Sequence, residues 1–340
     1  MNQPRYVFFI NGLRAYAIIG VVAIHYLFLY KHLLVAEMVD LIKYGLYGVH
    51  LFFIISGYCI VQSYSKINYI DFLHRRFKRI APAYYVVIIL FFCLNYFFSI
   101  TTNNFSNFHL YDALKIIIFF TFWSKNESIL GAYGTLGIEW SLGVEAFFYL
   151  FIPLLTYFLK NKLLLLLLFS ISLIILILLK IIATYISSTP NLYLMNTLAV
   201  FHFPIAFLIN FSSGMIAFKL RNFYKTKQKI LVLISIIFIL FAFKQFFHLS
   251  TNVKLCVFMI FFITFVSDKN YFIRILFNNK IIQHIGNLSY SIYLYHIFSL
   301  LLIKKLNYDS INTFLLSLLL TYLLSYISFK YVENFFRFHK

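Results

Sequence analysis

Apolar residues, interrupted by one or two polar positions at a time, run through 7–30, 46–64, 80–100, 140–159, 163–183, 199–218, 230–247, 253–267, 281–303 and 311–332. A helix rising 1.5 Å per residue needs roughly 20 such residues to cross the hydrocarbon core of a bilayer. The pattern predicts an all-α polytopic membrane protein with about ten transmembrane helices, forming a single domain over residues 1–340. A further apolar piece, 113–123, lies between Asp112 and Lys125 and is too short to cross, so it is expected to be re-entrant or interfacial. The run Leu163–Leu168 reads as hydrocarbon filler, and the polar, uncharged stretch 101–110 as an external connection. No internal repeat is visible that would point to an inverted-repeat transporter.

Composition narrows the class. The 340 residues are 62% hydrophobic and 11% charged, where soluble domains carry about 25% charged residues. Charge fixes an expected orientation. The formal net charge is +19, from 29 Lys and Arg against 10 Asp and Glu. With the N-terminus inside, 19 of the basic residues fall in cytoplasmic segments and 8 in external ones, with Arg14 and Lys180 inside spans. That asymmetry predicts cytoplasmic termini, and it assigns the surplus charge to anionic membrane lipid rather than to nucleic acid. Counting 113–123 as a full span would put the basic cluster at 219–229 outside, which favours ten spans. Arg14 interrupts the first apolar run and no small-residue cleavage site follows, so the N-terminus reads as a retained span rather than a signal peptide. Cys59, Cys93 and Cys256 all sit in apolar stretches without pairing or metal-ligand spacing and read as buried thiols; no metal site is expected.

The candidate chemistry lies where polar residues interrupt the spans. Arg14 and His25 are eleven positions apart, which brings them to one face of the first helix, about 16 Å apart along its axis. They form either a polar track across the membrane or a snorkelling Arg and a capping His. Ser56 and Gly57 stand in the middle of the second span, where small residues let helices approach closely. Arg76 and Arg79, about one turn apart just before the third span, suit phosphate groups arriving from the cytosol or serve as ordinary inside anchors. Glu139 and Glu145 are six apart and point about 120° from each other; Glu145, the deeper, needs a partner, and a pairing with His25 would make a carboxylate-oriented general base. Ser289, Tyr293 and His296 share a stripe that could line a channel or lie at the bilayer interface.

Together these motifs resemble the membrane acyltransferase-3 family, which includes bacterial O-acetyltransferases that modify lipopolysaccharide, O-antigen and other surface glycans. The resemblance covers essentially the whole chain. It is carried by Arg14 and His25 with ten residues between them, by GVHLFFIISG at 48–57, and by Arg76-Phe-Lys-Arg79 with Ile80 and Pro82. Trp140-Ser-Leu-Gly-Val-Glu145, Ser289-Tyr-Ser-Ile-Tyr293-Leu-Tyr-His296 and Glu333 complete it. His50 and Ala146 stand where relatives frequently carry acidic or other polar residues, which weakens a two-carboxylate scheme, and Phe298 and Phe335 stand where Pro is common.

The resemblance implies an O-acyltransferase of the bacterial inner membrane that moves an acyl group from cytosolic acyl-CoA, with acetyl-CoA the expected co-substrate and no bound cofactor. The acceptor implied is a sugar hydroxyl of a surface polysaccharide or exopolysaccharide, or of its lipid-linked precursor. It implies His25, Glu145 and Arg14 as catalytic residues, Arg14, Arg76 and Arg79 as acyl-CoA contacts, and Ser56, Trp140, Tyr293 and His296 along the acceptor path or channel. With no esterase-like domain after residue 340, the expected form is the stand-alone one. The alternatives are a non-enzymatic transporter of a lipid-linked or small organic substrate, and acylation of a small secreted molecule or a peptidoglycan sugar.

Overall fold

The computed structural model describes residues 8–30, 35–98, 137–187, 204–244, 251–266, 270–304 and 311–338, and all regular structure among them is helical. In chain order, α1 is Phe8–Tyr30, α2 is Ala36–Ile42, α3 is Gly48–Tyr64, α4 is Tyr69–Phe98, α5 is Glu139–Leu150 and α6 is Ile152–Tyr157. Next come α7 at Lys162–Ser187, α8 at Leu208–Phe223, α9 at Thr226–Lys244 and α10 at Thr251–Phe265. Last are α11 at Tyr271–Phe277, α12 at Lys280–Lys304, α13 at Ile311–Ser328 and α14 at Asn334–Phe338. A 3-10 segment, Lys43–Tyr47, joins α2 to α3, another, Pro204–Phe207, leads into α8, and a π-helical turn, Phe329–Glu333, separates α13 from α14.

Among the described residues, five stretches are long and apolar enough to cross a membrane: Phe8–Leu27, Ala36–Tyr64, Lys162–Ile182, Lys280–Ile303 and Ile311–Phe336. The helix Thr251–Phe265 is apolar but shorter. A helical, multi-pass architecture is what the apolar runs predict, and the described helices supply five crossings on these criteria. The segment 113–123 lies outside the described residues.

Two element boundaries differ from expectation for local reasons. The stretch before the third span is helix rather than loop. Asn68 caps α4, its Oδ1 accepting from the Asp71 backbone N–H at 2.8 Å, and the helix runs on with Phe72 and Arg76 buried while Asp71, His74 and Arg75 face outward. The expected span at 140–159 breaks at Phe151, where Pro153 lacks the N–H needed to continue the ladder of α5.

At the centre, α1 packs on α3 and α12, and α3 packs on α8. The α3–α8 approach depends on glycine at two points. Gly57 lies against the Phe211 backbone, and a Cβ on Gly214 would come within 2.8 Å of the Tyr58 nitrogen. The opposing atoms are backbone and cannot give way, so Gly214→Val is expected to destabilise the bundle by about 1–3 kcal/mol. A thermal unfolding midpoint in detergent equal to that of the unmodified protein would contradict this close approach. Asn11 fastens α1 to α12, its amide donating to Gln283 O at 3.1 Å and to Asn287 Oδ1 at 3.0 Å. Further along both helices His25 of α1 meets His296 of α12, so the two helices run in the same direction.

Candidate active site

A cavity of about 80 Å³, room for a few water molecules or a small acyl group, opens between α1, α3, α4, α5 and α12. Its polar wall is Arg14, Ser56, Cys59, Arg76, Arg79, Ser141, Glu145, Ser289, Tyr290 and Tyr293, and its apolar wall includes Val49, Phe52, Phe53, Ile55 and Leu142. Seven of the residues that stand out in the sequence converge here, drawn from five helices.

Glu145 is the hub. It accepts hydrogen bonds from the Ser56 hydroxyl and, at 2.5 Å, from the Tyr149 hydroxyl one turn along α5. Arg14 directs Nη2 at Cys59 Sγ, 3.3 Å away. Arg76 is buried beside Phe72 and Tyr149, with its guanidinium carbon 5.1 and 5.4 Å from the two ring centres, and it donates to Ser63 Oγ at 2.5 Å. Arg79 lines the cavity on the same side. Glu333 accepts from the Ser291 hydroxyl of α12. Three guanidiniums thus face the cavity against one carboxylate on its wall. Buried charge is costly unless compensated, and planar guanidiniums are groups suited to anions such as phosphates.

Above the arginines, Tyr293 and Ser141 hydroxyls meet at 2.6 Å, and the Tyr293 hydroxyl donates to Ile138 O at 3.0 Å. One turn further along α12 the Tyr293 ring lies 5.7 Å from that of His296, and His296 Nε2 lies 3.1 Å from His25 Nδ1 on α1. Polar groups therefore follow one another from Arg76 and Arg79, through Glu145 and Arg14, to Tyr293 and the two histidines. Arg14 lines the cavity together with residues of four other helices, while His25 and His296 lie beyond Tyr293 and outside its lining.

One expectation is corrected. His25 pairs with His296 rather than with Glu145, because α5 turns Glu145 toward Ser56 and Tyr149 on the arginine side of Tyr293. His296 keeps its place one turn beyond Tyr293 on α12, with the two rings 5.7 Å apart, and unlike Ser289 and Tyr293 it does not line the cavity. Trp140 packs its ring on Phe207 and Phe53, with centroids 5.5 and 6.2 Å apart. The sequence pattern does not mark Tyr149, Cys59, Ser141 or Tyr290 as site residues. A signal exists for Tyr149, which follows Glu145 by four residues on one helix face. Tyr290 donates to Ile80 O at 2.7 Å, near Pro82, and ties α12 to α4.

Comparison with known proteins places the chain among acyltransferases. A family model described as an acyltransferase domain matches residues 7–330. The O-acetyltransferase OatA of Staphylococcus aureus (strain NCTC 8325 / PS 47) is 31% identical over 176 residues, covering 48% of this chain and 26% of that protein. The peptidoglycan O-acetyltransferase OatA of Listeria monocytogenes serovar 1/2a (strain ATCC BAA-679 / EGD-e) is 26% identical over 361 residues, covering 97% of this chain and 56% of that protein. The match thus covers about a quarter of the Staphylococcus protein and little more than half of the Listeria one. No solved structure matches it.

Proposed function

The chain belongs to the membrane acyltransferase-3 family, and from that premise we propose that it is an O-acetyltransferase of the bacterial inner membrane. In this reading it takes an acetyl group from cytosolic acetyl-CoA and transfers it to a sugar hydroxyl of a surface glycan or its lipid-linked precursor. The chain crosses the membrane ten times with both termini in the cytoplasm. The observation that carries the reading is the gathering of three arginines on the wall of one cavity that also includes Tyr293, whose ring adjoins the paired histidines.

The chemistry divides along that path. Phosphates of the donor engage Arg76 and Arg79, with Arg14 beside them on the cavity wall. About 16 Å along α1 separates Arg14 from His25, a distance suited to the long flexible arm that links the CoA phosphates to their acyl group. His25 removes the proton from the acceptor hydroxyl as its oxygen attacks the thioester carbonyl. The C–S bond breaks, and the CoA thiolate leaves with the proton returned by His25. Glu145 compensates the guanidinium charges and orients Ser56 and Tyr149 at the cavity wall. Tyr293 and Ser289 line the passage between the two ends. The name of the Listeria relative adds a peptidoglycan sugar to the candidate acceptors.

The test supplies [14C]acetyl-CoA to the cytosolic face of membrane vesicles that carry the protein, and counts glycan-bound label released by mild alkali, as an ester is. Label above that of vesicles lacking the chain is expected, and equal label would leave transport as the better reading. In the same assay Arg76→Ala with Arg79→Ala is expected to raise KM for acetyl-CoA about tenfold or more with a smaller change in kcat, since two charge-assisted hydrogen bonds to the donor are lost. An unchanged KM would leave the two arginines as inside anchors.

A further inference from the structure

On the reading of His25 as the base, we propose that His296 is a positioning residue, which fixes the His25 ring so that Nε2 faces the acceptor as a free lone pair and which stabilises the imidazolium formed there. The hydrogen-bond geometry around the two rings leads to this assignment. His296 is fully buried. Its Nδ1 lies 2.6 Å from Tyr293 O and 3.2 Å from Ile292 O, and carbonyl oxygens only accept, so this nitrogen carries the hydrogen. In the neutral ring Nε2 is then an acceptor, and it lies 3.1 Å from His25 Nδ1. His25 Nδ1 in turn lies 2.9 Å from Val21 O, which again requires a hydrogen on that nitrogen. One N–H is shared between two acceptors, and His25 Nε2 is left without a hydrogen.

Val21 belongs to the same helix as His25, so its carbonyl sets the tautomer without fixing α1 against the rest of the site. His296 supplies an acceptor from α12, in the next turn after the Tyr293 hydroxyl that bonds Ile138 O. The ring angle of 51° and centroid distance of 5.0 Å are those of an edge-directed hydrogen bond rather than of stacking. When His25 takes the hydroxyl proton on Nε2, its Nδ1–H bond to His296 becomes charge-assisted and strengthens in the state where charge has developed. A carboxylate in this place would do the same, but at the cost of a fixed charge in an apolar interior. The neutral imidazole lends a lone pair and no charge. His296 takes up no proton in the cycle, because the hydrogen on His25 Nδ1 stays there and the proton on Nε2 goes to the departing thiolate.

The labelled acetyl-transfer assay in vesicles separates this role from a structural one. His296→Phe keeps the ring volume and removes the acceptor nitrogen. It is expected to lower kcat about 10- to 100-fold, the loss that goes with one hydrogen bond to a charged group, with KM for acetyl-CoA within about twofold of the unmodified protein. His296→Gln, whose Oε1 reaches toward the vacated Nε2 position, is expected to recover most of that loss. With His25→Ala as background, adding His296→Phe is expected to lower the residual rate no further. A kcat for His296→Phe equal to the unmodified rate, or a Gln variant as poor as Phe, overturns the role of His296 while leaving His25 as base. Near-normal transfer by His25→Ala overturns the reading of the base itself.

Discussion

His25→Ala is expected to lower acetyl transfer by about 10² to 10⁴-fold, the range over which enzymes depend on a positioned general base, while the protein remains folded and inserted. The side chain is half-buried on α1, and its hydrogen-bond partners are the Val21 carbonyl and His296, neither of which becomes a buried unpaired charge when the imidazole goes. Stability should therefore change little. His25→Gln is not expected to rescue, because an amide offers an acceptor oxygen but takes no proton near neutral pH. The measurement is glycan-bound [14C]acetyl per milligram of protein, normalised to the monodisperse peak in size-exclusion chromatography. Near-normal label would move the proton acceptor elsewhere on the track, with Glu145 the next group to examine.

Much of this site is legible in the sequence, residue by residue. Arg14, Arg76, Arg79 and Glu145 stand out as charges in or beside apolar runs, and a charge in such a place requires a partner or a function. The all-α membrane class follows from the length and hydropathy of the runs alone. Which helix faces which is not written there. His25 and His296 are 271 residues apart, and their meeting depends on α1 and α12 running in parallel, fastened by Asn11. The pairing with Glu145 fails for the same reason: the position of a residue along its span gives depth but not azimuth between helices. The helical start of α4 is legible in principle, since Asn68 followed three residues later by Asp71 is an N-terminal signature. The density of basic residues after it reads more readily as a cytoplasmic loop.

Glu145→Ala carries the other large effect, and it falls on stability rather than on chemistry. Removing this carboxylate strips the Ser56 hydroxyl and the buried Tyr149 hydroxyl of their common acceptor. Leaving buried hydroxyl donors unsatisfied costs about 1–3 kcal/mol each, a sizeable fraction of the roughly 5–15 kcal/mol that holds a typical folded protein together. The variant is expected to give little monodisperse protein in detergent. Glu145→Gln separates charge from hydrogen bonding. Its Oε1 still accepts from Ser56 and Tyr149, so the fold should survive, and the cavity gains one unit of positive charge. If Glu145 serves to balance the arginines, KM for acetyl-CoA stays level or falls in the Gln variant, because the phosphates meet a more positive receptor, and kcat changes by less than about tenfold. If Glu145 exchanges a proton with the substrate, the amide cannot replace it, and kcat falls by the roughly 10² to 10⁴-fold expected for loss of an acid or base at unchanged KM. The hydrogen bonds that Glu145 accepts from Ser56 and Tyr149, on the arginine side of Tyr293 and away from the histidine pair, favour the first outcome.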